Sequence, residues 1–158
     1  MTGSGIENIA LSLSNSIGDV ITTMTGFDVD VDSDCSTPEK IGQDETIIGS
    51  MAIFGSINGI ISLITDVESA KIIIAYMTGI MPTELTREDI HDGMAELVNM
   101  LVGRIKADID SNNFKLSITS PFSILGKDID IVFKDIENRI CRRFVAGDVE
   151  MLLLLFKI

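Results

Sequence analysis

The sequence has no tryptophan, one tyrosine, one histidine and two cysteines. With aromatic residues at 5%, aliphatic side chains must fill any core. The lone histidine, His91, cannot by itself build a catalytic triad or a histidine-based metal site, and near a helix start it reads as structural. Cys35 and Cys141 are far apart, both in apparent strands, and no Cys-x-x-Cys or Cys/His cluster occurs. Reduced, packed thiols and a cytoplasmic setting are therefore expected. Basic residues are also scarce: 12 Lys and Arg stand against 24 Asp and Glu, a formal net charge of −12. A nucleic-acid binder needs a basic stripe to displace counterions, and anionic membranes are disfavoured by the same balance. The densest basic cluster, Arg139, Arg142 and Arg143, reads as the outer positions of a strand. Met1-Thr2-Gly3-Ser4-Gly5 lacks the basic and then apolar pattern of an export signal.

What the chain does have is aliphatic bulk. Its 158 residues are 46% hydrophobic with mean hydropathy +0.36, so long apolar runs must be buried in the fold or in an oligomer. The uncharged stretch Ile47 to Ile64 is as long as a short membrane span. It is interrupted by Gly49, Ser50, Gly55, Ser56 and Asn58-Gly59, and Asn-Gly between β-branched runs marks a hairpin.

Ile6, Ile9, Leu13, Ile17, Val20, Ile21 and Met24 have helical spacing, with Gly26 as a stop. Phe27 to Val31 alternates apolar and acidic, as an edge strand does, and Ser36 to Asp44 reads as a loop. Residues 45–55 and 58–66 form the hairpin. A short helix over Glu68 to Thr78 ends at Gly79. Thr86, with Glu88 and Asp89 behind it, opens a second helix to about Asp110, broken by Ser111-Asn112-Asn113. Strands are expected at Phe114 to Thr119, Ile129 to Phe133 and Arg139 to Val145, with a central strand, covered on both faces, from Val149 to Ile158. Turns fall at Gly126-Lys127 and Ala146-Gly147-Asp148. The order helix, three strands, two helices, strands describes an α+β fold, one mixed or antiparallel sheet packed against helices, in a single domain over 1–158.

The segment from Ile90 to Gly103 carries the chemistry. At about 100° per residue, Asp92, Glu96, Asn99 and Gly103 fall within roughly 60° of one another. Ile90, Met94, Leu97, Leu101, Ile105 and Ile109 lie on the opposite side. Gly93 and Ala95 flank the polar stripe and Gly103 ends it. Glycine costs about 1 kcal/mol against alanine inside a helix, so two glycines here require a reason. Either they allow close packing within the domain, or another protein's backbone approaches the stripe.

This segment resembles the CheC/CheX phosphatases, which show Asp or Ser, three residues, Glu, two residues, Asn, then 21 or 22 residues and Pro. Asp92, Glu96 and Asn99 fit the first part, and the 21 residues Met100 to Ser120 separate Asn99 from Pro121. Glu96-Leu97-Val98-Asn99-Met100 with Gly103 is similar to the family's active helix. One intact site points to the CheX type. A degenerate echo on the first helix, Asn8, Ser12 and Asn15 with Pro38 beyond, has Ser12 where the glutamate belongs, and no activity is expected there.

The resemblance implies an enzyme that accelerates hydrolysis of the aspartyl-phosphate of a phosphorylated receiver domain. Asn99 would orient the attacking water and Glu96 would pair with the receiver's active-site lysine. Asp92, Gly93, Ala95, Met100, Gly103 and Pro121 would contact the partner or shape its seat. The chain would need no cofactor of its own, Mg2+ being supplied by the receiver. It also implies a homodimer joined through its sheets, with Arg139 to Val145 or the C-terminal run offering the edge. Two rivals stay open: a non-catalytic module that reads phosphorylated receivers, and a flagellar-switch-like interaction module of the same fold.

Overall fold

Apolar side chains at Ile9, Leu13, Ile17 and Ile21 recur on one side of the first helix and are all buried. That stripe docks α1 (Ser4–Thr25) onto the sheet and the other helices. In the computed structural model, residues 4–32, 44–110, 114–131 and 139–158 are described. The order continues with β1 (Val29–Asp32), β2 (Thr46–Gly55), β3 (Gly59–Asp66), α2 (Val67–Thr78), a 3-10 turn at Pro82–Glu84, α3 (Arg87–Asp110), β4 (Leu116–Ile118), β5 (Phe122–Gly126), β6 (Arg139–Ala146) and β7 (Val149–Lys157).

The local signals act as expected at most boundaries. Asp66 caps α2 by accepting from the Ser69 N–H, and Gly79 ends it in the left-handed region at φ 74°. The β2–β3 hairpin forms, but Gly59 already pairs with Ile53. The turn therefore lies earlier, where Asn58 Oδ1 accepts from the Gly55 N–H at 3.1 Å. Gly147 (φ 60°) and Asp148 make the two-residue turn between β6 and β7, with Ala146 opposite Val149.

The seven strands form one sheet in the order β1-β6-β7-β3-β2-β4, with β5 also pairing β2. Every pairing is antiparallel. Alternation divides the residues between its faces. Ile47, Met51 and Ile53 of β2, Ile61 and Leu63 of β3, and Met151, Leu153 and Leu155 of β7 join the core with the three helices. Ile48, Ile64, Cys141 and Leu154 turn to the other face, where Ile129, Ile131 and Leu152 pack on them. β7 is thus the central, two-sided strand expected.

Five expectations need correction. The strand awaited at Ile129 to Phe133 is only an isolated bridge at Ile129, residues 132–138 lying outside the described residues; the strand sits earlier, at Phe122–Gly126. β7 offers no free edge, because β3 and β6 flank it. β6 is paired by β7 throughout and by β1 from Arg143 to Ala146. Arg142 is not at an outer position: it pairs opposite Leu153, on the helix side, while Arg139 and Arg143 share the face of Cys141. Successive strand residues point to opposite faces, so Arg142 and Arg143 cannot both point outward. Cys141 is buried but disulfide-bonded, not a reduced thiol. It sits on the face without helices, packed with Ile48, Ile64 and Leu154, and reduced thiols no longer speak for a reducing compartment. Cys35, the loop Ser36 to Asp44 apart from its last residue, and the helix break at Ser111-Asn112-Asn113 lie outside the described residues.

Candidate functional site on the outer face of the third helix

α3 starts at a reciprocal cap. The Asp89 N–H donates to Thr86 Oγ1 at 3.1 Å, and the Thr86 N–H donates to Asp89 Oδ2 at 2.8 Å. The Thr86 backbone and then its hydroxyl hold the Asp89 carboxyl below its ordinary range. At the other end, the hydrogen bond from Lys106 lowers Asp110, with the Leu116 N–H adding to it.

Between these ends the helix is held closely on two sides. A Cβ on Gly93 would stand 2.6 Å from Cγ1 of Ile74, so α2 lies directly against that glycine. A Cβ on Gly49 of β2 would stand 3.0 Å from Met94 Cγ and 3.2 Å from Val98 Cγ2. The helix therefore rests almost on the strand backbone. Arg104 reaches Asp19 of α1 at 3.2 Å. Ile90, Met94, Leu97, Leu101, Ile105 and Ile109 are all buried, as the helical phase requires.

The remaining side faces outward. Asp92, Glu96, Asn99 and Gly103 are all exposed. Glu96 and Asn99 stand about 4.5 Å apart along the axis and about 60° apart around it. Neither makes a hydrogen bond or ion pair with another described residue, so both are available to a second molecule. Met100 is 37% exposed beside them, Ala95 is half-buried, and a Cβ on Gly103 would meet nothing within 4 Å. Gly93 does not belong to this surface. It is buried against α2, so the internal-packing reading holds for it, and the open-face reading is left to Gly103 alone. Among the described residues no cluster of His, Cys, Asp or Glu could hold a metal ion.

Pro121 is half-buried at a break in the sheet edge. Ile118 pairs with Ile53 and Phe122 with Ser50. Thr119, Ser120 and Pro121 therefore stand opposite only Met51 and Ala52, which is a bulge. Proline, having no N–H to give the ladder, suits that place. Thr119 takes over, its Oγ1 accepting from the Ala52 N–H at 3.1 Å. α3 packs against both β4 and β5.

Sequence reasoning passed over Ser123, whose Oγ lies 2.6 Å from His91 Nδ1. No local pattern announces a bond between residues 32 apart. On α1, Asn8 and Asn15 of the echo are exposed, but Ser12 turns toward α3 and donates to Asp108 Oδ2 at 3.5 Å. A cleft of about 570 Å³ opens there, lined in part by Asn8, Ser12, Asn15 and Phe114. None of Asp92, Glu96, Asn99 and Gly103 lines it. No helix among the described residues is long and apolar enough to cross a membrane; Ile47 to Ile64 is the β2–β3 hairpin.

The family model described as chemotaxis phosphatase CheX matches residues 47–144, a span that includes α3 and the bulge. No curated protein sequence matches the chain. A CheC-like superfamily protein from Shewanella sp. PV-4 superposes with TM-score 0.82 at 18% identity, covering 100% of this chain and 99% of that one. The chemotaxis protein CheX from Vibrio vulnificus does so with TM-score 0.78 at 20% identity, over 95% and 96% of the two chains. The structure of a CheX–CheY–BeF3–Mg2+ complex from Borrelia burgdorferi gives TM-score 0.69 at 18% identity, over 96% of each chain. These likenesses agree with the antiparallel sheet and its three helices, and the match over most of the sequence settles the assignment: the chain belongs to the CheX family of chemotaxis phosphatases.

Proposed function

We propose that this protein accelerates hydrolysis of the aspartyl-phosphate on a CheY-like receiver domain, with Asn99 aiming the attacking water and Glu96 seating the receiver. The observation that carries the reading is the pair itself: a carboxamide and a carboxylate, adjacent on one exposed helix face and engaged by no other described residue. A relative of the same fold has been captured with CheY and Mg2+, which supports a receiver as the partner.

An acyl phosphate is already activated, so the barrier that remains is one of placement. The receiver's own divalent cation would neutralise the phosphoryl oxygens. The Asn99 carboxamide can accept a hydrogen bond from a water and donate one at the same time, without carrying charge. It would hold that water in line, so that the water oxygen bonds to phosphorus as the bond to the aspartyl oxygen breaks. Inorganic phosphate and a free carboxylate result. Glu96 would pair with the receiver's lysine; burying that pair fixes register even where its net energy is small. This chain being strongly acidic, docking to a receiver that is itself acidic would rely on these local contacts and not on bulk attraction.

The test is decay of a radiolabelled phospho-receiver. Asn99→Ala should leave receiver affinity near wild type and lower the rate by about 100-fold, the scale of losing one positioned polar group at a reacting centre. Glu96→Ala should weaken both affinity and rate. Full activity in both variants rejects the site.

A further inference from the structure

We infer that His91 and Ser123 form a tether that sets the roll of α3 about its own axis, and with it the aim of Asn99; the inference rests on the phosphatase reading above. Ser123 is the cross-strand partner of Gly49. On β2, Gly49 has no side chain, and Met94 and Val98 come down upon its backbone. On β5, Ser123 reaches up from the next strand to His91 Nδ1 at 2.6 Å. The same rung of the sheet thus lets the helix approach and then holds it.

The need for a hold follows from the packing. At the Gly49 rung no side chain of β2 stands between strand and helix, so there the contact resists rolling less than an interlocked side chain would. A hydrogen bond placed off the line of contact supplies the resistance. The serine hydroxyl can donate to Nδ1 or accept from it, so the bond survives either imidazole tautomer. His91 is set about 80° around the helix from Asn99. The rotation it prevents would sweep Asn99 sideways. With side chains reaching about 5–6 Å from the axis, a roll of about 10° moves the amide by about 1 Å. A misplacement of that size can cost about 100-fold in rate, and the smaller roll left when the rest of the packing stays in place should cost about tenfold. The tether also fixes α3 to the strand that leaves the Pro121 bulge, which makes helix and bulge one rigid surface. His91 and Ser123 are positioning residues; neither touches the phosphoryl group.

The experiment compares His91→Ala, Ser123→Ala, the double variant and His91→Asn, whose amide reaches the place of Nδ1. Phospho-receiver hydrolysis is measured well below each melting temperature, with amide exchange followed in β5. Each alanine variant should lose about tenfold in kcat, KM staying within about threefold, because seating tolerates a small roll better than water placement does. The double variant should be no slower than either single one, since both break one bond. His91→Asn should recover to within about threefold of wild type, and exchange over Phe122–Gly126 should quicken in His91→Ala. Wild-type kcat in His91→Ala, or single losses that multiply in the double variant, overturns the tether while the phosphatase reading stands. A wild type that fails to speed hydrolysis overturns that reading and the catalytic purpose of the tether. Unchanged β5 protection in His91→Ala then removes the tether as a structural device too.

Discussion

Two glycines ten residues apart on α3 should respond to the same substitution with opposite sign. Gly93→Ala places a methyl 2.6, 2.7 and 2.8 Å from Cγ1, Cγ2 and Cδ1 of Ile74, where ordinary carbon contacts are about 3.5–4.0 Å. Ile74 is fully buried and, being β-branched in a helix, is held to one χ1 rotamer. It cannot swing aside, so α2 and α3 must separate. Overpacking of this kind costs about 1–3 kcal/mol, and alanine's better helix propensity returns about 1 kcal/mol. A net loss of up to about 2 kcal/mol remains, or about 4–8 °C in melting temperature for a chain this long. Gly103→Ala meets nothing within 4 Å and should gain up to about 1 kcal/mol. Urea melts followed by far-UV circular dichroism read both changes. In an Ile74→Ala background the three clashing atoms are gone, and the cost of Gly93→Ala should vanish. A Gly93→Ala protein as stable as wild type would refute the close-approach argument. On the exposed stripe, Gly103→Ala should also raise KM for the phospho-receiver despite its added stability, since its methyl stands where a partner's backbone would pass.

Thr86→Ala removes the acceptor of the Asp89 N–H and should cost about 1 kcal/mol, read by the same melts. The Asp89 carboxyl is held below its ordinary range. Its contribution is therefore complete above the unfolded value, about 3.9, and is lost as pH falls through the lower folded value. Asp89→Asn should flatten the stability–pH curve in that acid window, and an unchanged slope there counts against the cap. The family reading predicts a homodimer, seated on the strands outermost among those described, β1 or β4 and β5. Sedimentation at micromolar concentration should give twice the 17.2 kDa chain mass, and a monomer would remove the dimer.

What the sequence disclosed follows from which interactions are local. The phase of α3, its Thr86 cap, the Gly79 stop and the Gly147 turn depend on neighbours within a few residues, and all were readable. The outward exposure of Glu96 and Asn99 followed from the same helical arithmetic. Phe122–Gly126 escaped because its five residues follow a proline and show little contrast between faces. Their pairing with β2 is decided by residues far away in sequence. The flanks of β6 and β7 were unreadable for the same reason: an edge is a property of strand order. Gly93 and Gly103 look alike along the chain, and only the position of Ile74 tells them apart. Ser123 was silent until the sheet placed it beside Gly49.

The strand at the middle of the sheet comes after every other described strand in the sequence. β7 lies between β3 and β6, its Lys157 pairing with Gly59 at the start of β3. During synthesis the β2–β3 hairpin and α2 exist long before anything can occupy the place beside them. Until residue 157 has left the ribosome, β3 exposes a bare row of amides and carbonyls along one flank. Such a row invites pairing with strangers, and distant closures of this sort are slow. The nascent chain therefore passes through a period in which helpers that shield strands should matter more to its yield than they do to the finished molecule.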